Sequence, residues 1–575
     1  MSSTASDQTT IRHPVNLGSR RLGPLPIVNH FMDRLGLDTL LEEFVPTEDS
    51  RVELPYAKGL GVLLRSIIVE RDPIYRQQET VDTFASQMFG IAEGEAALLS
   101  DDRIGRALDQ LFDADRGALM TETVVRMGRR FGVRFDELHN DSTTIRLTGQ
   151  YRDAQGRSIR GRRAPWITFG LSKDHRPDLK QLLFVLTTTA DGGVPVQFRC
   201  GDGNASDVGT HIETWEALRT VAGRTDFLYV ADSKLCVTET MDYIDGKKGR
   251  FVTVLPRTRT EDAYFRKWIQ TNEPAWEQVW DRRNPRRKYG PRDRWWVFRY
   301  PLPSREAWPI IWVYSALLRL KQDRTRMERL AGATEALVAL KLRLASPKSR
   351  LRKGPKVEGA VADIFRRYEV RRYLKVHKHR REEHLFKQSR RGRPGPQTTF
   401  RRITRRRWDI DWELDDAALA YDRKSDGMYP LLTNDRKLKP AQALEAHKGQ
   451  PTIEKRFHQC KTVHEIAPVL LHNESRIEAL FFLYFLALMV QGLIERDLRG
   501  AMKREKISEL PLYPEERLCK HPTTEQVLRL FSLAQGHVLL QRGQVIQVFS
   551  PKLTPLQQQV RRLLGVPASA YQIQK

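Results

Sequence analysis

Phe227-Leu228-Tyr229-Val230-Ala231-Asp232 is a run of five apolar residues closed by a carboxylate. An unbroken apolar run of this length, without alternation, reads as a strand covered on both faces, as strands inside an α/β sheet are. The flanks agree. Upstream, His211 to Val221 has helical spacing. Before it, Leu182-Leu183-Phe184-Val185-Leu186, the turn Asp191-Gly192-Gly193 and Val194-Pro195-Val196-Gln197-Phe198 spell a hairpin, with Pro195 at its start or edge. Downstream, Thr238 to Ile244 reads as a helix and Phe251-Val252-Thr253-Val254-Leu255 as a strand. Hairpin, helix, strand, helix and strand make an α/β core with some antiparallel pairing.

Five segments follow from this centre. Residues 1–132 read as a helical N-terminal domain, on the spacing of Ile27, Phe31 and Leu35, of Ile104, Leu108 and Leu111, and of Leu119 to Phe131. A helix-turn-helix that docks on DNA and an ordinary helical bundle both satisfy that periodicity. Residues 133–256 hold the first part of the core and 257–425 an insertion. Residues 426–510 resume the core, with helices over 451–465 and 475–498, and 511–575 form a C-terminal tail of unassigned role. The apolar run Ala479 to Val490 has twelve residues, and the uncharged stretch ends at Ile494. A bilayer needs about 20, so this run is expected to be a buried core helix and no membrane partner is expected. Four cysteines, none in a Cys-x-x-Cys spacing, suit a reducing compartment and give no zinc ribbon. The first residues lack a basic and an apolar stretch, so no signal peptide is read there and a cytoplasmic location is expected.

The chain carries 97 Lys+Arg against 71 Asp+Glu, a net +26 over 575 residues. Residues 346–407 hold 22 basic and 5 acidic residues, and 282–299 hold 8 and 1, so two stretches inside the insertion account for +24 of the +26. Such localised charge points to nucleic acid. The insertion reads as tryptophan-rich strands and long basic helices. Arg286, Arg287 and Lys288, and Arg405, Arg406 and Arg407, are the expected DNA contacts. Tyr289, Trp295, Trp296 and Phe298 are candidates to stack on bases.

Three acids stand out by context. Asp141 lies in Leu138-His139-Asn140-Asp141-Ser142-Thr143-Thr144. Asp232 ends the central apolar run, where functional groups of open α/β sheets collect. Glu454 lies in Pro451-Thr452-Ile453-Glu454-Lys455-Arg456-Phe457-His458. There Ile453, Phe457 and Cys460 form a core stripe, and Glu454, His458 and Lys461 form the next one. Carboxylates converging on two divalent ions are one way to clamp a phosphodiester. Spacing alone does not single these three out from 71 acids. Other motifs fail: Gly201 to Ser206 lacks the third glycine of a dinucleotide loop, and no Walker, Gly-x-Ser-x-Gly or His-Glu-x-x-His pattern is present. Lys173-Asp174-His175 reads as a hydrogen-bonded structural group ahead of a base or ligand.

These residues, in order, resemble the DDE transposases of bacterial insertion sequences, in the branch whose RNase H-like core is interrupted by a β-rich insertion. The segments that carry the likeness are Gly23 to Phe31, Asp141-Ser142-Thr143-Thr144, Gly170-Leu171-Ser172-Lys173-Asp174-His175-Arg176-Pro177-Asp178-Leu179-Lys180-Gln181, Gly203 to Asp207, Val230-Ala231-Asp232-Ser233, Asp426 to Asn434, and Ile453-Glu454-Lys455-Arg456-Phe457. The series covers most of residues 20–500, and 170–181 is its most specific part.

The resemblance implies an α/β fold with an RNase H-like mixed sheet, interrupted by a large insertion and preceded by a helical domain. It implies Asp141, Asp232 and Glu454 as catalytic ligands of two Mg²⁺ ions, with Mn²⁺ as a substitute, and Lys461 as a phosphate contact. The expected partners are double-stranded DNA, both the terminal inverted repeats and the target, and a second copy of the chain in synapsis. The family's Tyr–Arg–Glu–Lys signature keeps its Glu-to-Lys spacing, but His447 and Gln450 stand at the Tyr and Arg positions. A non-catalytic DNA-binding protein derived from such an element is the alternative.

Overall fold

In a computed structural model of the chain, the described residues are 15–173, 176–205, 207–283, 290–464, 466, 471–541 and 544–573. They form two compact units, residues 1–253 with 445–575, and residues 254–444.

The first unit opens with a strand, β1 (Val15–Arg21), where the sequence suggested only helix. Then come α1 (Leu25–Leu35), α2 (Leu37–Phe44), α3 (Tyr56–Val69), α4 (Gln77–Asp82), α5 (Asp101–Asp113) and α6 (Arg116–Phe131). Ser100 and Asp115 cap the last two, each accepting a backbone N–H of the first turn. The apolar positions read from the sequence, among them Ile104, Leu108, Leu111 and Phe112, are buried.

The sheet follows. Its strands are β2 (Glu137–Leu147), β5 (Lys180–Thr189), β6 (Pro195–Gly201), β7 (Leu228–Val230) and β8 (Arg250–Val254). A minor hairpin, β3 (Ser158–Ile159) with β4 (Arg162–Arg163), sits between the first two. Helix α7 (His211–Ala222) connects β6 to β7, and α8 (Thr238–Gly246) connects β7 to β8. The order is β6-β5-β2-β7-β8. Strands β2, β5 and β6 pair antiparallel, while β7 and β8 extend the sheet in parallel. Three meandering strands followed by two crossover strands is the RNase H-like mixed sheet. The uninterrupted apolar character of β7 and β8 follows from this position, since both have buried centres.

Residues 254–444 form the second unit. It contains α9 (Thr260–Trp268) and a four-stranded antiparallel set, β9 (Glu277–Arg282), β10 (Asp293–Arg299), β11 (Ile310–Ser315) and, later in the chain, β14 (Met428–Thr433). Helices α10 (Ala316–Ala345) and α11 (Gly354–Tyr368) lead into a long hairpin, β12 (Leu374–Gln388) with β13 (Phe400–Leu414), and α12 (Asp416–Arg423). Leu330, Leu337, Leu340, Val357, Leu374 and Ile410 pack into this unit's own core. Residues 426–444 fall within this unit by contact. Arg405, Arg406 and Arg407 lie on a strand, not on the basic helix expected for them.

The first unit resumes through α13 (Pro440–Gly449), α14 (Pro451–His458) and α15 (Glu474–Arg504). Helix α15 is long and apolar enough to cross a membrane by length and composition, but its most apolar window is 89% buried inside the protein. It is the core helix on which α1, α3, α5 and β6 pack. Ion pairs fix the N-terminal helices to it: Arg116 to Glu478 at 3.0 Å, Arg476 to Asp109 at 2.6 Å and Arg34 to Asp497 at 3.1 Å. The helical segment is therefore built into the unit that carries the sheet. The tail supplies α16 (Thr524–Phe531), β15 (Gln535–Gln541), β16 (Gln544–Phe549) and α17 (Pro555–Leu563). Strand β15 pairs antiparallel with β1, from Val15 opposite Gln541 to Arg21 opposite Gln535, so the tail completes a three-stranded sheet begun at the N-terminus.

Candidate active site on the mixed sheet

The parallel pairing of β2 and β7 sets Glu137 opposite Leu228, Leu138 opposite Tyr229 and His139 opposite Val230. Pairing ends there; the same register continued by two residues would set Asp141 opposite Asp232, which lies just beyond the end of β7. Neighbouring strands run about 4.8 Å apart, and equivalent register positions present their side chains on one face. Asp232 sits where β7 ends. Its side chain caps the following turn by accepting the Lys234 N–H at 3.0 Å, and its carbonyl accepts the Thr253 hydroxyl at 2.6 Å. Asp141 accepts the Ser142 N–H at 2.7 Å and remains partly exposed.

Lys173 is a neighbour that spacing did not reveal. Its Nζ donates to the Ser142 hydroxyl at 2.8 Å and to the Ser142 carbonyl, and lies 3.7 Å from Asp141 Oδ1. It belongs to the 170–181 segment, so the family likeness was the available signal. Asp174 and His175 lie outside the described residues.

Helix α14 is held against the β5–β6 hairpin by an unusual amount of buried charge. Arg456 is fully buried. Its guanidinium donates to the Gly193 carbonyl at 2.8 Å, to the Gly192 carbonyl at 3.2 Å and to Gln459, and pairs with Glu495 of α15 at 3.0 Å. Lys455 reaches both oxygens of Glu495 at 2.8 Å. Burial alone would raise the Glu495 pKa, but Arg456, Lys455 and Arg499 outweigh it and hold the carboxyl below its ordinary value. The approach is close enough that a Cβ at Gly193 would meet Thr452 Cγ2 at 2.1 Å, and Gly193 has φ +63°. Only glycine fits that turn.

The stripe read on α14 is present. Ile453, Phe457 and Cys460 are buried, while Glu454 and His458 are exposed. Lys461 does not continue the same α-helix: residues Gln459–Val463 form a π-helical turn, which rotates Lys461 away from the angle that regular α spacing gives it. His447, at the Tyr position of the signature, has its pKa pushed down to about 4, first by burial and then by the charges of Lys448 and His139. It is a neutral imidazole near neutral pH. Gln450 precedes Pro451 and accepts the Ile453 N–H at 2.9 Å through its carbonyl. Among the described residues, no three His, Cys, Asp or Glu side chains are gathered closely enough to hold a metal ion. Asp141 lies on β2 and Asp232 just past the end of its parallel neighbour β7, and Glu454 is exposed on α14.

Residues 17–125 match a family model described as a domain of unknown function (DUF4277). No curated protein matches. Among solved structures, a piggyBac transposase synaptic complex with hairpin DNA is similar at 11% identity, with a TM-score of 0.27. The likeness covers 52% of this chain and 63% of that one, so the chain spans under two thirds of the length of the structure it matches.

In the second unit, the expected basic contacts divide. Arg286, Arg287 and Lys288 lie outside the described residues. Arg406 pairs across the hairpin with Glu382 at 2.7 Å, and Arg407 pairs with Glu383 at 3.1 Å and donates to the Ala345 carbonyl. Arg405 lies on the same strand and forms no ion pair among the described residues. Of the aromatics proposed for base stacking, Tyr289 lies outside the described residues and the others are engaged with other aromatic rings. Phe298 stacks on Trp268 at 5.7 Å, Trp296 lies 5.0 Å from Tyr314, and Trp295 packs on Trp280 and Tyr429.

Proposed function

We propose that the chain is a DDE-type transposase that binds the terminal inverted repeats of its element, cuts DNA at those ends and joins the freed 3′-hydroxyl to target DNA. The observation that carries the reading is Asp141 on β2 and Asp232 just past the end of the parallel neighbour β7, in an RNase H-like sheet. The likeness of segments 170–181 and 453–457 to the transposase family supports it.

The donor set suits a hard divalent cation, because two carboxylates share one face of the sheet and neither is buried in apolar surroundings. Asp141, Asp232 and Glu454 would hold Mg²⁺ or Mn²⁺, which when bound supplies Lewis-acid activation of water and of the scissile phosphate. Asp232 is positioned by its turn and by Thr253, and Asp141 by Ser142. Lys173 offers the incoming phosphate a cation beside Asp141. Glu454 must close on the two aspartates when DNA engages, a movement restricted by the anchoring of α14. The chain works on DNA in the cytoplasm as a pair of copies, one at each element end.

The second reading, a non-catalytic DNA-binding protein derived from a transposase, draws on the lack, among the described residues, of a three-carboxylate cluster close enough to hold a metal ion. Incubating the full chain with a duplex ending in the element's inverted repeat distinguishes the two. Mg²⁺-dependent nicking at the repeat boundary supports the transposase, and repeat binding without any nicking supports the derived binder.

A further inference from the structure

The β12–β13 hairpin is the longest exposed element of the second unit. Fifteen residues per strand at about 3.3 Å each give a ribbon about 50 Å long. Its charge is arranged along its length. From the base to the middle of the ribbon, acids neutralise bases: Asp411 pairs with Lys341, Asp415 with Lys375 at 2.9 Å, and, mid-strand, Glu382 and Glu383 with Arg406 and Arg407. Residues 384–404 contain six Lys+Arg and no Asp or Glu. The turn Arg390-Arg391-Gly392-Arg393-Pro394-Gly395-Pro396 is exposed throughout, and none of its arginines forms an ion pair among the described residues. A solvated protein face normally mixes charges, so a ribbon neutralised at its base and uncompensated at its tip is complementary to a polyanion.

The chemistry of the turn narrows the polyanion. Gly392 has φ +142°, and a Cβ built there meets nothing within 4 Å. No neighbour excludes a side chain there, but L side chains rarely adopt this backbone conformation, so the turn itself favours glycine. Glycine also leaves a bare backbone between two arginines. Pro394 holds Arg393 out of helical conformation, and Pro396 does the same for Gly395. The Gly395 N–H donates to Thr398 Oγ1 at 2.8 Å, and the Thr398 N–H returns to the Gly395 carbonyl at 2.9 Å, which closes the tip.

We propose that this turn reads the minor groove of A·T-rich double-stranded DNA. The groove is about 6 Å wide, too narrow for a helix or for the two-stranded ribbon, but open to a bare Arg-Gly-Arg backbone. A·T tracts narrow it further and deepen its negative potential, which attracts inserted arginines, whereas a G·C pair puts an amino group on its floor. Arg391 and Arg393 enter the groove, and Arg401 and Arg402 on β13 contact the flanking phosphates. This deepens the DNA-binding part of the transposase reading and is independent of its catalytic part. A chain that cuts no DNA can still show it, and a chain that cuts its ends can fail it.

The test is fluorescence anisotropy of the full chain, without divalent metal, on A·T-tract and G·C duplexes of equal length. Wild type is expected to bind the A·T duplex about tenfold tighter, and netropsin, which fills the minor groove, is expected to abolish the difference. Arg391→Ala with Arg393→Ala should remove the preference, while Arg401→Ala with Arg402→Ala should weaken both duplexes alike. Equal wild-type affinity for the two duplexes overturns the proposal. So does a preference that survives netropsin or the Arg391/Arg393 change, or tighter binding to single-stranded RNA than to either duplex.

Discussion

Lys173 Nζ stands 3.7 Å from Asp141 Oδ1 and donates to the hydroxyl and carbonyl of Ser142, the residue next to that carboxylate. A cation so placed repels a divalent ion approaching Asp141. Lys173→Met is therefore expected to tighten Mn²⁺ or Mg²⁺ binding severalfold, read by isothermal titration calorimetry. It should also slow cleavage, because the lysine's contact with the phosphate is lost. Unchanged metal affinity would show that the lysine serves only to fix the loop.

Glu495 is the shared acceptor of Arg456, Lys455 and the Thr524 N–H, and its side chain has no exposed surface. Removing one partner of a buried pair leaves the other charge uncompensated, at a cost of about 3–5 kcal/mol. Glu495→Ala should lower the urea midpoint accordingly. Arg456→Lys should not rescue, because an ammonium cannot span Gly192, Gly193, Gln459 and Glu495 at once.

Gly193 tests the placement of Glu454. A side chain there is strained by φ +63° and meets Thr452 at the start of α14. Gly193→Ala should reduce DNA cleavage at least tenfold more than DNA binding, since the basic ribbon is untouched. Equal loss of both, in single-turnover and anisotropy assays, would dissociate the turn from the site.

The second unit has a pH dependence of definite sign. Glu261 and Glu306 share Arg259, and burial, which raises both carboxyl pKa values, is overcome by the Arg259 bonds, leaving each at about 2 against an ordinary 4.5. The unfolded chain binds protons first as pH falls, so the stability these pairs contribute is complete above about 4.5 and lost toward 2. Thermal melts of Arg259→Met should lose stability at pH 7 and show a flatter acid limb. A wild-type acid limb in that variant would contradict the assignment.

Salt dependence separates free arginines from paired ones. Each phosphate contact contributes about 0.9 to the slope of log K against log salt. Neutralising Arg390, Arg401 and Arg402 should lower the slope by about 2–3. Neutralising Arg406 and Arg407, which are already paired, should change it by less than neutralising an equal number of free arginines. The reverse ranking would return the DNA surface to the middle of the strand.

The sheet was legible because its strands are apolar without interruption and its turns are marked by Asp191-Gly192-Gly193 and by Asp232. The core stripe on α14 was equally plain. Three features were not. Strand β1 pairs with residues more than five hundred positions away, and such pairing leaves no local mark. The basic ribbon shows a period-two apolar face only at its base, in Leu374 and Val376 and in Trp408, Ile410 and Trp412; the outer half, rich in Arg and Lys, carries no such mark of a strand. The π-turn at Gln459–Val463 breaks a spacing that the sequence presents as regular. For the candidate site, the parallel pairing of β2 with β7 puts Asp141 and Asp232 on neighbouring segments; only the family likeness pointed to Glu454, and Lys173 is not part of the site as read from the sequence.

The central claim is that Asp141, Asp232 and Glu454 act together on a phosphodiester. Its most direct measurement is single-turnover cleavage of a labelled inverted-repeat end in Mg²⁺ by wild type and by Asp141→Asn, Asp232→Asn and Glu454→Gln, each checked for unchanged repeat binding. The account predicts that each variant binds the repeat and loses cleavage by at least a hundredfold. Cleavage at the wild-type rate by all three variants would contradict it.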